Sequence, residues 1–362
     1  MLKPLVSVPG GRGWIDIGSY GRHGPGRRDR LSPAQVAFIA RTVHRTPEVM
    51  IKMLNQGGRS LGSVARHLNY LDRNGELKIE TDEGDALKGK GAAKELIDDW
   101  DLKLDELRTS ASLRAPTKGD PPKLVHKMIF SMPAGTPPNK VLEAVKTFAR
   151  EEFALKHRYA MVLLTDEPHP HVHMVVKAMG DDGRRLNIRR ATLREWRREF
   201  ARHLRAQGVA ANATERAVRG VTTPQKTDGI YRAAQRGAST HWRERAERVA
   251  HQIAHGGLKV EPEKARLVET RRDVVRGWSQ VADDLVLQGH LELAQVVRGF
   301  VKQLSPVKTD REWIRDRMLE QTRAPAGRRE RALHGTSDSQ RHEADRSSAA
   351  RESLRDFGGY SR

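Results

Sequence analysis

Apolar residues recur along this chain with two periods, and the periods divide it into elements. In SLGSVARHLNYLDRNG (60–75), Leu61, Val64, Leu68 and Leu71 fall on one helical stripe. Ser60 is placed to cap it and Asn74-Gly75 to stop it. SPAQVAFIART predicts another helix, with Ser32 as cap, Pro33 in the first turn and Gln35 at capping-box spacing. NKVLEAVKTFAREEFA (139–154) and TLREWRREFARHLRAQG (192–208) repeat the helical period, the second with Leu193, Trp196, Phe200 and Leu204 inward. Residues 91–108 read as one acidic helix. EVMIKML (48–54), ELKIET, LVHKMIFSM (124–132), YAMVLLT (159–165) and VHMVVKAM (172–179) read as strands, and GDDGRRLNI as a hairpin. The order β-α-β-β-α with short connections predicts an α+β class: a central antiparallel sheet with helices on one face, followed by a helical C-terminal region. The boundaries are a flexible Gly/Arg-rich arm over 1–31, a folded domain over 32–222, a charged helical region over 223–322 and an Arg/Ser-rich disordered tail over 323–362.

Composition narrows the function. The 362 residues are 37% hydrophobic and 31% charged, and the formal net charge is +20. An excess of that size points to a polyanionic partner, nucleic acid first and an anionic membrane surface second. No apolar run reaches the ~18–20 residues of a membrane span, so no membrane insertion is expected. MLKPLVSVPGGRGW lacks the apolar core of a signal peptide, and a cytoplasmic location is expected. The chain has no cysteine, which excludes disulfides, thiolate zinc sites and a cysteine nucleophile.

The stretch TDEPHPHVHMVVKAMG (165–180) concentrates the candidate metal chemistry. On a strand, His171 and His173 share a face, while Val172 and Met174 point into a core on the other side. Two imidazoles side by side suit one metal ion. His169, in the turn that enters the strand, and Asp166 are candidates to complete or orient the site. Imidazoles suit Mn, Zn, Co, Ni or Fe; a neighbouring carboxylate with phosphate oxygens admits Mg or Mn, the expected divalent ion. The alternative is a polar strand face with no metal.

Tyr70 falls off the apolar stripe of its helix and shares a face with Arg66 and Arg73. A phenol keeps its proton at neutral pH, so a reactive one needs positive charge or a metal beside it. Here a ring between two guanidiniums fits a nucleophile directed at phosphate; a surface ring covering the helix end is the plainer alternative. Tyr20 sits in the Gly-rich arm and Tyr360 in the tail, neither held by a scaffold, and Tyr159 and Tyr231 read as packing residues. Arg189, Arg190, Arg194, Arg197 and Arg198 lie on or before the 192–208 helix and are candidate phosphate contacts, adding to Arg66 and Arg73.

Taken together, these segments resemble the conjugative relaxases (mobilisation nucleases), in particular the MOBP or VirD-like branch of the HUH endonucleases. HLNYLDRNGEL (67–77) resembles that family's nucleophile motif, with the tyrosine on Tyr70. DEPHPHVHMVV (166–176) resembles its metal motif, with the pair on His171 and His173. HKMIFSMPAGT (126–136) and WRREFARHLRAQGVAANATERAVRG (196–220) are similar to flanking segments, so the likeness covers about residues 46–222. One departure concerns the metal. Many members carry a further histidine two residues before the Asp, where this chain has Leu164, so either His169 or Asp166 supplies a third ligand or the metal is held less tightly.

The resemblance implies a palm-like sheet and nicking at a transfer origin. Tyr70 would attack a DNA phosphate, release a 3′-hydroxyl and keep the 5′-phosphate; reversal would religate. It also implies single-stranded or supercoiled origin DNA as partner, accessory relaxosome proteins, the coupling protein of a secretion channel, and passage of the protein with the strand. A rolling-circle replication or transposition initiator shares the same groups, but there the tyrosine usually follows the histidines. A non-catalytic DNA-binding mobilisation protein is the third reading, and Leu164 is its support.

Overall fold

The computed structural model describes residues 15–20, 30–54, 57–112, 121–221, 240–256 and 261–323. They fall into two compact units, one within 30–215 and one combining 16–20 with 216–323.

The first unit is built on strands that are apolar on both sides. β4 (Val125–Ser131), β5 (Tyr159–Leu164) and β6 (His171–Lys177) are buried almost throughout, and each needs a cover on either face. With β1 (Met50–Leu54), β2 (Ile79–Thr81) and β3 (Ala86–Leu87) they form a six-stranded sheet in the order β1-β4-β6-β5-β2-β3, and every pairing is antiparallel. The α+β class and the antiparallel sheet are as the sequence predicts.

The placing of helices on one face is corrected: they cover both. On one face α6 (Pro138–Phe153) and α7 (Arg190–Ala206) pack Phe148, Phe153, Trp196 and Phe200 onto Met128, Phe130, Val172 and Met174. On the other, α3 (Leu61–Leu71) and α4 (Ala92–Asp99) pack Val64, Leu68, Leu71 and Leu96 onto Val125, Ala160, Val162, Leu164 and Val175. The single helix expected over 91–108 is two. Asp101 turns to φ +52° between α4 and α5 (Leu102–Ser112), and the break lets Trp100 and Leu102 both be buried, which a continuous helix would point about 200° apart.

The cap of α2 (Pro33–Val43) is as expected: Gln35 N–H donates to Ser32 Oγ, and Ser32 N–H donates to the Gln35 side chain. α3 ends at Leu71, and Arg73, Asn74 and Gly75 follow with positive φ. Gly75, at φ +97°, has no room for a side chain: a Cβ there would stand 2.4 Å from the Gly89 carbonyl carbon. The turn after α3 is thereby fixed against the loop before α4.

The second unit is helical: α1 (Ile17–Tyr20), α8 (Thr240–Ala254), α9 (Pro262–Leu287), α10 (Leu291–Lys302) and α11 (Asp310–Arg323). α9 and α10 form an antiparallel pair with Trp278 against Phe300, and Gly277 lets the Ile17 carbonyl approach α9 closely. Tyr20, expected to lie loose in an arm, is held. Its hydroxyl donates to Asp284 at 2.7 Å, because Ile17 anchors the segment in an apolar contact. The rest of the arm before 30, Tyr231, and the tail from 324 lie outside the described residues. Among the described residues no helix is long and apolar enough to cross a membrane.

Candidate active site

Strand parity decides which face carries the chemistry. Opposite His171 and His173 on β4 stand Ser131 and Ile129, and on β5 stand Leu164 and Val162. Val162, Leu164 and Val175 belong to the core under α3, so the two imidazoles lie on the α3 side of the sheet. Their rings are 5.3 Å apart, centroid to centroid. Two imidazoles bound to one ion, each with nitrogen about 2.1 Å from it, place their centroids roughly 4.6–5.3 Å apart at bond angles of about 90–109°. The ring spacing of the pair is therefore compatible with a shared ion.

His171 is also oriented for that role. Its Nδ1 lies 2.9 Å from the His169 carbonyl oxygen, which can only accept, so Nδ1 carries the proton and Nε2 keeps its lone pair. His169 itself is exposed and takes part through its backbone. His173 is buried, and its Nδ1 has no hydrogen-bond partner among the described residues. Burial, then the proximity of His171 and His67, pushes His173 down to about 3, so the ring is neutral at pH 7 and free to bind a cation.

His67 is a residue the sequence reading passed over. It lies on α3 one turn before Tyr70, and its ring stands 6.2 Å from that of His173. Its Nε2 is likewise buried without a partner. Burial, then the charge of Lys127, pushes His67 down to about 4. Lys127 is the second omission: a buried cation on β4 that faces the same side, opposite Val175. A signal for His67 existed. At 100° per residue it sits beside the apolar stripe, on the side toward Tyr70.

Tyr70 is 58% exposed at the end of α3. The Arg73 guanidinium carbon is 5.0 Å from its ring centroid, and the Arg73 guanidinium is hydrogen-bonded and ion-paired to the Asp166 carboxylate just after β5. A hydrogen bond with Tyr70 is the largest influence on Arg73; with the charge of Asp166 it holds the guanidinium above its ordinary range. The structure thus brings Tyr70, Arg73, Asp166, His171 and His173 to one side of one domain. Arg66 is exposed on the same helix, its Nε donating to the Gly62 carbonyl.

The arginines of α7 are placed elsewhere. α7 covers the opposite face, so Arg197 and Arg198 do not join the tyrosine and the histidines. Arg197 donates to the Ile51 carbonyl at 3.1 Å, Arg198 pairs with Glu195, and burial lowers both from the usual arginine range. Arg194 pairs with Glu215 at 2.9 Å, while Arg189 and Arg190 stand exposed at the start of the helix. Glu151, Glu199 and His203 also gather on this far side with metal-like spacing. Arg202 already bridges both carboxylates, at 2.5 and 2.7 Å, so the group holds its own cation.

Residues 77–209 match the family model of the relaxase MobA/VirD2-like nuclease domain. The matched span contains the histidine strand and begins shortly after Tyr70. The chain is 26% identical over 205 residues to the T-DNA border endonuclease VirD2 of Rhizobium radiobacter, across 52% of this chain and 47% of that protein. It is 27% identical over 202 residues to the VirD2 of Agrobacterium fabrum strain C58, across 52% of this chain and 44% of that protein. The chain thus spans about half the length of the curated relatives it matches. A solved chain described under "Molecular Basis of Vancomycin Resistance Transfer in Staphylococcus aureus" is 15% identical, with a TM-score of 0.29, across 47% of this chain and 98% of that one. Over residues 77–209, then, this chain is similar to the MobA/VirD2-like relaxase nuclease domain.

Proposed function

We propose that the protein nicks and religates one strand of DNA at a transfer origin, with Tyr70 as nucleophile, to start conjugative mobilisation. In the forward step the Tyr70 oxygen attacks a backbone phosphorus. The Tyr70 Oη–P bond forms as the P–O3′ bond breaks; the phenolic proton passes to solvent and the departing 3′ oxygen takes one up. The 5′-phosphate stays on Tyr70. One phosphodiester replaces another, so the step is close to isoenergetic and its reversal rejoins the strand.

The observation that carries this reading is Arg73, clamped to Asp166 and lying 5.0 Å from the Tyr70 ring centroid, on the histidine side of the sheet. A guanidinium there meets a phosphate bidentately beside the attacking oxygen. Asp166 acts through Arg73, as a positioning residue. Arg66 adds a phosphate contact on the same helix.

His171 and His173 would hold a divalent ion, Mg or Mn with phosphate oxygens as further ligands, and the unpartnered Nδ1 of His173 with the fixed tautomer of His171 fits that use. When bound, such an ion supplies charge stabilisation to the phosphate oxygens. The exposed Arg189 and Arg190 are proposed to follow the strand further from the nick. Origin DNA is the proposed substrate, and accessory mobilisation proteins and a secretion-channel coupling protein are the proposed partners of the helical unit.

The test is incubation with supercoiled plasmid carrying the cognate origin and a divalent ion, followed by denaturing electrophoresis. A covalent protein–DNA adduct at the 5′ end of the nick, absent for Tyr70→Phe, is the expected result. An adduct that persists in Tyr70→Phe removes Tyr70 from the role.

A further inference from the structure

We propose that His67, on the same helix as the nucleophile, is the third imidazole of the metal centre. The proposal rests on the reading of His171 and His173 as metal ligands and adds a residue from a distant part of the chain.

Candidates for a third protein ligand are few on this side of the sheet. Asp166 follows β5, but its carboxylate is engaged by Arg73. His169 is exposed and offers its carbonyl to His171. Leu164 and Val162, opposite the pair on β5, have no donor atoms. Ser131, opposite His171 on β4, is a neutral hydroxyl and a poor ligand beside imidazoles. Lys127 is a cation. His67 remains, and its Nε2 is buried with no partner.

Geometry agrees. Each imidazole centroid stands about 3.2 Å from a bound ion, given a metal–nitrogen distance of about 2.1 Å. Ring separations for two ligands of one ion therefore run from about 4.6 Å at right angles to about 6.5 Å when opposed. The 6.2 Å between His67 and His173 lies inside that range, as does the 5.3 Å between His171 and His173. His173 is thus the middle of three rings drawn from two elements. A buried, unpartnered nitrogen is costly to maintain, by about 1–3 kcal/mol, unless something binds it. Here two such nitrogens occur on adjacent rings, His67 Nε2 and His173 Nδ1. Imidazole coordination would also explain why α3 presents a histidine toward β6 where its neighbours Val64 and Leu68 present aliphatic chains.

The measurement is Mn²⁺ titration calorimetry on the full chain without DNA, so that no phosphate completes the shell. Wild type is compared with His67→Ala, His67→Gln, His169→Ala, His171→Ala and His173→Ala. His67→Ala is expected to lose at least tenfold in affinity, as His171→Ala does, with His169→Ala within about twofold of wild type. Mn²⁺ should raise the melting temperature of wild type and leave that of His67→Ala unchanged. If His67→Ala fails to fold, His67→Gln is read by the same criterion. Wild-type affinity in the folded His67 variants, with affinity lost in His171→Ala, overturns the proposal and makes His67 a packing residue. Wild-type affinity in His171→Ala and His173→Ala as well overturns the metal reading of the pair, and the proposal with it.

Discussion

Arg73 leaves the helix of the nucleophile in a left-handed turn, φ +54°, and there meets the carboxylate of Asp166, which follows a strand more than ninety residues further along the chain. The contact ties the end of α3 to the end of β5 and fixes a guanidinium against Tyr70. Asp166→Asn keeps the shape and removes the charge, so Arg73 should swing free. We expect nicking to fall on the order of tenfold or more, with origin binding within a few-fold, since only orientation of the reacting group is lost. Arg73→Lys should behave alike, because a point charge cannot reproduce the planar contact. Single-turnover nicking rates and fluorescence anisotropy separate the two effects; equal losses in binding and rate would make Asp166 a contact for DNA instead.

Tyr70→Phe should abolish strand cleavage and leave stability almost untouched. The ring is 58% exposed and its described contact is with Arg73. A surface substitution of this kind shifts stability by about 0.5 kcal/mol or less. Urea midpoints alongside the nicking assay check this; a large loss of stability would show that the hydroxyl serves the fold.

Replacing Arg197 and Arg198 with Ala is expected to weaken the fold and spare DNA binding. Both side chains are half-buried on the face away from Tyr70, and Arg197 ties α7 to the Ile51 carbonyl. Losing a hydrogen bond to a charged donor costs about 1.5–3 kcal/mol. The slope of log affinity against log salt should not change, because no phosphate contact is removed. An anisotropy salt series with origin oligonucleotides tests it, and a flatter slope would place DNA on this face. Arg66→Ala should flatten the slope by about 0.7, the share of one contact with a single strand.

Acid should destabilise the metal-free protein in a defined window. Burial, then the charge of Lys123, holds His126 down to about 4, with His157 and Arg185 adding to the effect and the Leu186 backbone opposing it. The folded state therefore keeps the ring neutral while the unfolded chain protonates it near 6.5. The unfolded state binds more protons between those values, so this contribution is fully present above about pH 6.5 and is lost as pH falls toward about 4. His126→Gln should flatten that part of the curve of denaturant midpoint against pH. An identical slope in the variant would show that His126 is not held neutral.

Local period made much of the domain readable. The stripe of α3, the cap of α2 and the parity that puts His171 and His173 on one face follow from positions a few residues apart, and all stand in the structure. What escaped depends on contacts between distant segments. His67 meets His173 only because α3 lies across β6, and no local spacing encodes that. The arginines of α7 read as phosphate contacts from their charge and their place in the sequence after the histidine strand. Charge pattern shows which side of a helix faces outward but not which face of the sheet the helix covers, and α7 covers the far one. The break at Asp101 was missed because an acidic, helix-favouring run masks the demand to bury both Trp100 and Leu102.

α3 also works as a ruler. His67 and Tyr70 are three residues apart on one rigid helix, about 4.5 Å along its axis and about 60° apart around it. Where the ring of His67 is seated against β6, the phenol has only one place to be, whatever the loops around it do. A single residue inserted between them would turn Tyr70 by about 100° and carry it about 1.5 Å further along the axis, off the guanidinium of Arg73. Changes in length are therefore forbidden inside this turn, and elongation of the domain is confined to segments beyond it, since the Gly75 turn that follows has no spare room either.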